Sequence, residues 1–226
     1  MGINSVAEFL GSAMRGLRSL VFPPSCPLCC LEESEGCKEC LGSWRIAPSI
    51  RVIDSIPIYS PVIYDLRARS VVLAAKERGE RLARTFIVEA ISSVVERIEP
   101  VQALALVSIP SSKRALRKRG DDFLARVVDE VVAKDPKRLQ RLSLLDFKFQ
   151  VSDQSGLSMR NRAANLDGSL EIKSRSTQNL MRAPSLVIID DVLTTGSTMR
   201  AAIQALRIDP STRIIAGVTA CRSERF

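Results

Sequence analysis

Leu186-Val187-Ile188-Ile189 is a continuous apolar run, long enough for a buried strand and too short for a helix. Two carboxylates, Asp190 and Asp191, follow it, and then the small polar stretch Thr194-Thr195-Gly196-Ser197-Thr198. Beyond that, Met199, Ala202, Ile203 and Leu206 recur at i, i+3, i+4 and i+7, which is one apolar face of a helix. The same two patterns alternate upstream. Leu66–Arg78 predicts a helix ending at Gly79. Leu82, Phe86, Ile87, Ala90, Ile91, Val94, Val95 and Ile98 predict a second, ending before Pro100. Ala103–Ile109 predicts a buried strand that stops at Pro110. Leu124, Val127, Val128, Val131 and Val132 give a third helical face, and Arg213–Ala220 a last strand. Strands alternating with helices predict an α/β fold with a parallel sheet and crossover helices, in which ligands bind beyond the carboxyl ends of the strands.

Other segments frame this domain. Ser5 to Val21 reads as an amphipathic helix: Val6, Phe9, Leu10, Ala13, Met14 and Leu17 form its stripe, Ser5 and Glu8 a capping box, and Pro23-Pro24 its end. Trp44 to Pro61, punctuated by Pro48, Pro57 and Pro61, reads as an extended linker. The polar stretch Asp146–Gly168 has weak periodicity and reads as a long loop. The division expected is an N-terminal helix over 1–24, a cysteine segment over 25–45 and the main domain over 53–226.

Strand, acidic pair, small-residue loop and helix form a ligand-binding arrangement. Gly196 lets backbone approach an anion, and the loop amides with the positive end of the following helix suit a phosphate. Thr194, Thr195, Ser197 and Thr198 add hydroxyls. Asp190 and Asp191 would repel a phosphate, so they suit sugar hydroxyls, directly or through Mg²⁺. The spacing excludes a Walker A loop. The stretch through Asp190, Asp191, Val192, Leu193, Thr194, Thr195, Gly196, Ser197 and Thr198 resembles the 5-phosphoribosyl-1-pyrophosphate (PRPP) signature of type I phosphoribosyltransferases.

A second cluster follows the Ala103–Ile109 strand. Ser111 and Ser112 lead into Lys113, Arg114, Arg117, Lys118 and Arg119, five cations placed to surround a pyrophosphate. A solvated basic turn is the other reading of the same charges. A third is Cys26-Pro-Leu-Cys29 with Cys37-Lys-Glu-Cys40. Two such knuckles supply the four thiolates of a closed, structural zinc site, with a disulfide pair as the alternative and Cys30 able to stand in for Cys29.

Composition narrows the classes. The 226 residues are 46% hydrophobic, enough for a core. A net charge of +8 favours acidic partners. With no histidine, imidazole bases and imidazole ligands are excluded, and 4% aromatics leave little for stacking bases. No run reaches membrane-spanning length, and Glu8 interrupts the first apolar residues, which argues against a signal peptide. A cytoplasmic protein is expected.

Taken together, the chain resembles the ComF family of phosphoribosyltransferase-like proteins. The matching pieces are Cys26–Cys40, Lys76 with Gly79, Ser108-Ile109-Pro110, Arg119-Gly120, Gln154-Ser155-Gly156-Leu157-Ser158 with Arg162 and Asn165, and Asp190–Thr198. The resemblance implies a type I phosphoribosyltransferase-like fold, PRPP with Mg²⁺, and an anion site at Lys76, Ser111, Ser112, Lys113, Arg114 and Arg119. It also implies a role in DNA uptake and natural transformation, with single-stranded DNA and DNA-processing proteins as partners. Two departures stand out. Asp121-Asp122-Phe123 follows Arg119-Gly120 where the family has Phe-Asn-Gln, and Ser108 stands where it has Pro. Asp121 is placed to cap the following helix.

Overall fold

The computed structural model describes residues 25–32, 37–44, 49–98, 102–148, 170–173, 185–207 and 212–223. The helix expected over Ser5–Val21 and the motif residues Gln154, Arg162 and Asn165 lie outside them.

A short helix α1 (Lys38–Trp44) follows the cysteine segment. Strands β1 (Ser49–Ile53), β2 (Ile56–Ser60) and β3 (Val62–Ile63) lead to helices α2 (Leu66–Glu77) and α3 (Arg81–Val95). Then come β4 (Leu104–Ser108), α4 (Lys113–Arg119), α5 (Phe123–Lys134), β5 (Leu139–Arg141) and β6 (Leu145–Phe147). The last elements are β7 (Leu170–Ile172), β8 (Ser185–Leu193), α6 (Ser197–Leu206) and β9 (Ile214–Arg222).

The main sheet runs β1-β2-β9-β8-β4-β5, with β3 also pairing β9. Only β1 and β2 pair antiparallel; every other pair in this sheet is parallel. β4 is buried at all five positions, and Leu186–Ile189 of β8 are buried as well, as the unbroken apolar runs require of strands covered on both faces. Helix α3 packs against β9, α5 against β4 and β8, and α6 against β8 and β9. Phe86, Ile87 and Ile91 of α3 and Leu104, Leu106, Ile188 and Ile189 of the strands are fully buried.

The mixed α/β class with a mainly parallel sheet is as expected. Two segments differ. The stretch read as an extended linker supplies β1 and β2, joined by a two-residue turn at Asp54-Ser55. Its prolines signal a linker, but Pro57 sits near the start of β2, before the pairing of β2 with β9 begins at Ile58, so its missing amide costs no bond on that side. Part of the expected Asp146–Gly168 loop is ordered: β6 pairs antiparallel with β7 through Asp146↔Glu171. Three-residue strands are too short to show a period in the sequence.

The chain also outlines where a crevice forms. After β4 the chain crosses to β5, and after β8 it crosses the other way to β9. Connections leaving two adjacent parallel strands in opposite directions open a crevice above their carboxyl ends.

Candidate functional site

That crevice is a cleft of about 480 Å³, in the range of small-molecule sites. Its walls come from the β4–α4 turn, the first residues of α5, Lys76 of α2, Phe147 of β6 and the end of β8 with the start of α6.

β8 outlasts its neighbour. The last β4 pair is Ser108↔Ile189, closed by the Ile109 amide donating to the Ile189 carbonyl at 2.9 Å, while β8 continues to Leu193 against β9. Asp190 and Asp191 therefore lie within the strand rather than after it, on the part that β4 no longer covers. Each carboxylate turns back on the chain: Asp190 Oδ1 accepts from the Asp191 amide and Asp191 Oδ1 from the Val192 amide, both at 2.8 Å. Asp191 Oδ2 accepts from the Lys76 ammonium. Burial, and then the neighbouring Asp191 charge, push the Asp190 carboxyl well above the usual range. Burial would lower the Lys76 ammonium, but the charge and hydrogen bond of Asp191, with Asp190 behind it, outweigh burial and raise it. Lys76 is thus already committed to the acidic pair, not presented as a lone cation.

The loop after β8 divides by role. Thr194, Ser197 and Thr198 line the cleft together with Asp190, Asp191 and Val192. Leu193 is instead buried in the core. Thr195 Oγ1 lies 2.9 Å from Ser197 Oγ and accepts from the Ser197 amide at 3.4 Å. Gly196 caps α6 at φ 72°, in the left-handed region, and a Cβ there would meet Ile53 Cδ1 at 2.7 Å. The left-handed φ favours glycine here, and Ile53 of β1 leaves little room for a side chain.

The basic cluster forms the helix α4 rather than a turn. Ser112 caps α4, accepting from the Ala115 amide at 3.3 Å, and Gly120 ends it at φ 79°. Arg117, Lys118 and Arg119 fall in its last turn, where cations offset the negative helix end. Lys118 pairs with Glu77 at 2.7 Å on the exposed side, and its hydrogen bond is the main reason the Glu77 carboxyl is held below its usual value. Arg117 is exposed. The side chains of Lys113 and Arg114 lie outside the described set.

Arg119 alone of this last turn lines the cleft. It is 7% exposed, donates to Ser111 Oγ at 2.9 Å and to Glu77 Oε1 at 3.3 Å, and its Nε is buried with no hydrogen-bond partner. An orphaned guanidinium donor beside a cleft is costly unless something fills the role. Ser111 Oγ in turn donates to Asp122 Oδ1 at 3.1 Å. Asp122, not Asp121, caps α5 through the Ala125 amide at 3.4 Å, while Asp121 pairs with Arg126 at 2.8 Å. Sequence reading did not identify Phe147 and Phe123 as cleft residues; Phe147 sits on a strand with no periodic signal.

The cysteine cluster is separate from the cleft, which none of its residues lines. The Sγ atoms of Cys26, Cys29, Cys37 and Cys40 all lie within 4.8 Å of one another, with Cys29 and Cys37 3.9 Å apart. A tetrahedron with Zn–S bonds of 2.3 Å has edges of about 3.8 Å, so the four thiols fit a zinc ion. Cys30, at φ 61°, is outside the group, which settles which cysteine of the pair joins it. Burial and the hydrogen bonds of the three other thiols push the Cys40 thiol up, a cost that a divalent cation would reverse. Trp44, at the end of α1, ties this segment to the domain: its indole donates to the Phe86 carbonyl at 2.9 Å, and the two rings meet edge to face at 5.5 Å.

No helix among the described residues is long and apolar enough to cross a membrane. No family model matches the chain, and no curated protein matches it. Among solved structures, it is similar to the allosteric regulatory enzyme of purine biosynthesis at 13% identity and a TM-score of 0.31, over 62% of this chain and 26% of that one. It is also similar to orotate phosphoribosyltransferase from Aeropyrum pernix at 13% identity and a TM-score of 0.35, over 80% of this chain and 78% of that one. The chain thus spans about a quarter of the length of the first and over three quarters of the second.

Proposed function

We propose that the cleft binds PRPP or a related ribose-phosphate ligand, together with Mg²⁺, in a phosphoribosyltransferase-like domain carrying a structural zinc ion. The observation that carries this reading is the acidic pair on the uncovered end of β8, followed at once by a hydroxyl-lined helix start. Sugar hydroxyls find acceptors in Asp190 and Asp191. A 5-phosphate finds the hydroxyls of Thr194, Ser197 and Thr198 and the positive end of α6. Arg119, with its unpartnered Nε, offers the buried cation that a pyrophosphate needs. Lys76, Ser111, Ser112, Lys113 and Arg114 complete the expected anion site, with Lys76 acting through Asp191.

The wider role follows from the resemblance to the ComF family: DNA uptake and natural transformation, by way of single-stranded DNA and DNA-processing partners, in the cytoplasm. The other reading is an active phosphoribosyltransferase passing the phosphoribosyl group to an acceptor. In that case positioning and charge neutralisation supply the rate enhancement. Isothermal titration with PRPP and Mg²⁺, followed by assay for released pyrophosphate over a panel of nucleobases, separates the two. Binding without release supports the binding role, release supports transfer, and no binding overturns both.

A further inference from the structure

Helix α6 has Gly196 as its N-cap, which offers no side-chain cap. Apart from the long 3.4 Å hydrogen bond from the Ser197 amide to Thr195 Oγ1, no side-chain cap from the preceding residues holds the helix start. The β1–β2 hairpin holds it from outside the cleft. Its two-residue turn places Asp54 at φ 47° and Ser55 at φ 65°, a left-handed pair of the type I′ kind built without glycine. Non-glycine residues in that region are strained, and such strain persists only where surrounding contacts enforce it. Beyond the hairpin's own ladder, the contacts of Asp54 among the described residues run to α6 and its C-cap Arg207. Asp54 Oδ1 accepts from Arg200 Nε at 3.3 Å, Asp54 Oδ2 from Gln204 Nε2 at 3.4 Å, and the Asp54 carbonyl from the Arg207 guanidinium at 2.6 Å. Arg200, Gln204 and Arg207 form one stripe along the helix at i, i+4 and i+7. Ile53, the residue before the turn, occupies the space in front of Gly196. None of Ile53, Asp54 and Ser55 lines the cleft.

We propose that the Ile53-Asp54-Ser55 turn is the positioning element of the phosphate-binding loop: it sets α6 along its axis and holds the Thr194–Thr198 segment in its binding conformation. Asp54 is a positioning residue that never touches ligand. Its ion pair with Arg200 is half-exposed, and pairs of that kind contribute little to global stability, so the effect of losing it is local. The proposal rests on the reading of the Thr194–Thr198 loop given above, and it has a readout independent of that reading.

The test compares the full-length protein with Asp54→Ala, Asp54→Asn and Ser55→Gly, using amide hydrogen exchange and titration with PRPP plus Mg²⁺. Asp54→Ala is expected to raise exchange at the Ser197, Thr198 and Met199 amides by about threefold or more while β4 amides stay unchanged, the signature of local rather than global opening. PRPP affinity is expected to fall by about three- to tenfold, a usual size for coupling through a positioning contact. Asp54→Asn keeps the acceptor oxygen and tolerates the left-handed turn, and Ser55→Gly removes strain without touching the contacts. Both should stay near wild type. Unchanged exchange in Asp54→Ala overturns the proposal. Equal rises in the α6 and β4 amides also overturn it, because the turn would then serve overall stability. If the wild type does not bind PRPP, the loop reading fails, and the exchange pattern alone decides whether the turn sets α6.

Discussion

Asp190 carries an energetic cost at the end of β8. Its half-buried carboxyl lies on the cleft wall beside Asp191, and desolvation with the Asp191 charge raises its pKa from 3.8 to about 8. A carboxyl held above its unfolded value favours the folded state fully below about pH 4 and loses that contribution as pH rises through the folded value. Thermal melting from pH 5 to 9 should therefore show the wild type losing stability across this window relative to Asp190→Asn. At pH 8.5 the Asn variant is expected to be more stable by about 1 kcal/mol or more, roughly 2–4 °C in a chain of this length. A wild type that gains on the variant as pH rises would refute this account of the pair. Gly196 makes the complementary case. Gly196→Val should destabilise the protein through φ 72° and the clash with Ile53, so loss of ligand binding in that variant reports on folding. Ser197→Ala and Thr198→Ala, which remove cleft hydroxyls without strain, should instead weaken phosphate-bearing ligands by up to about tenfold each, with melting within a few degrees of wild type.

At the scale of elements, the docked cysteine segment and the reassigned basic helix matter most. Trp44 is the protein's single tryptophan, so its fluorescence reports on the contact between α1 and Phe86. Purified without chelator, the protein should carry about one zinc per chain. Cys37→Ser should release it and shift the Trp44 emission, because structural zinc is part of the folding free energy of such segments. Retained emission after complete loss of metal would separate α1 docking from zinc. The knuckle spacing was legible in the sequence because thiolate pairs on tight turns have few other uses. The long periodic helices and the apolar strands β4 and β8 were legible because burial imposes a period. β1 was not, since exposed Ile50 and Val52 leave it without the one-faced pattern of a half-buried strand; β2 does alternate in burial, but its Pro57 reads as a breaker. The roles of Arg117 and Lys118 were not legible either: charge along a chain does not reveal which cations end a helix and which enter a cleft.

The whole molecule places two independent features on one frame. The cleft lies where the connections from β4 and β8 diverge, and the cysteine cluster is docked on α3 through Trp44. The strand ends that build the cleft could be read from the sequence, but the split between β8 and β4 could not, because it arises from one strand outlasting its neighbour. If single-stranded DNA is a partner, the net charge of +8 predicts weak, sequence-independent binding that falls steeply with salt. Replacing Arg117 and Lys118 with Ala should reduce the salt slope by about one to two, measured by fluorescence anisotropy of a labelled oligonucleotide. An unchanged slope would exclude the α4 helix as the contact. The central claim is that Asp190 and Asp191 bind the ribose of a phosphorylated ligand, and the direct measurement is titration of PRPP with Mg²⁺ into the wild type and into Asp190→Asn with Asp191→Asn. The account predicts one site per wild-type chain and a loss of about tenfold or more in a double variant that still melts cooperatively. Equal affinity in the two proteins, or no binding to the wild type, would contradict it.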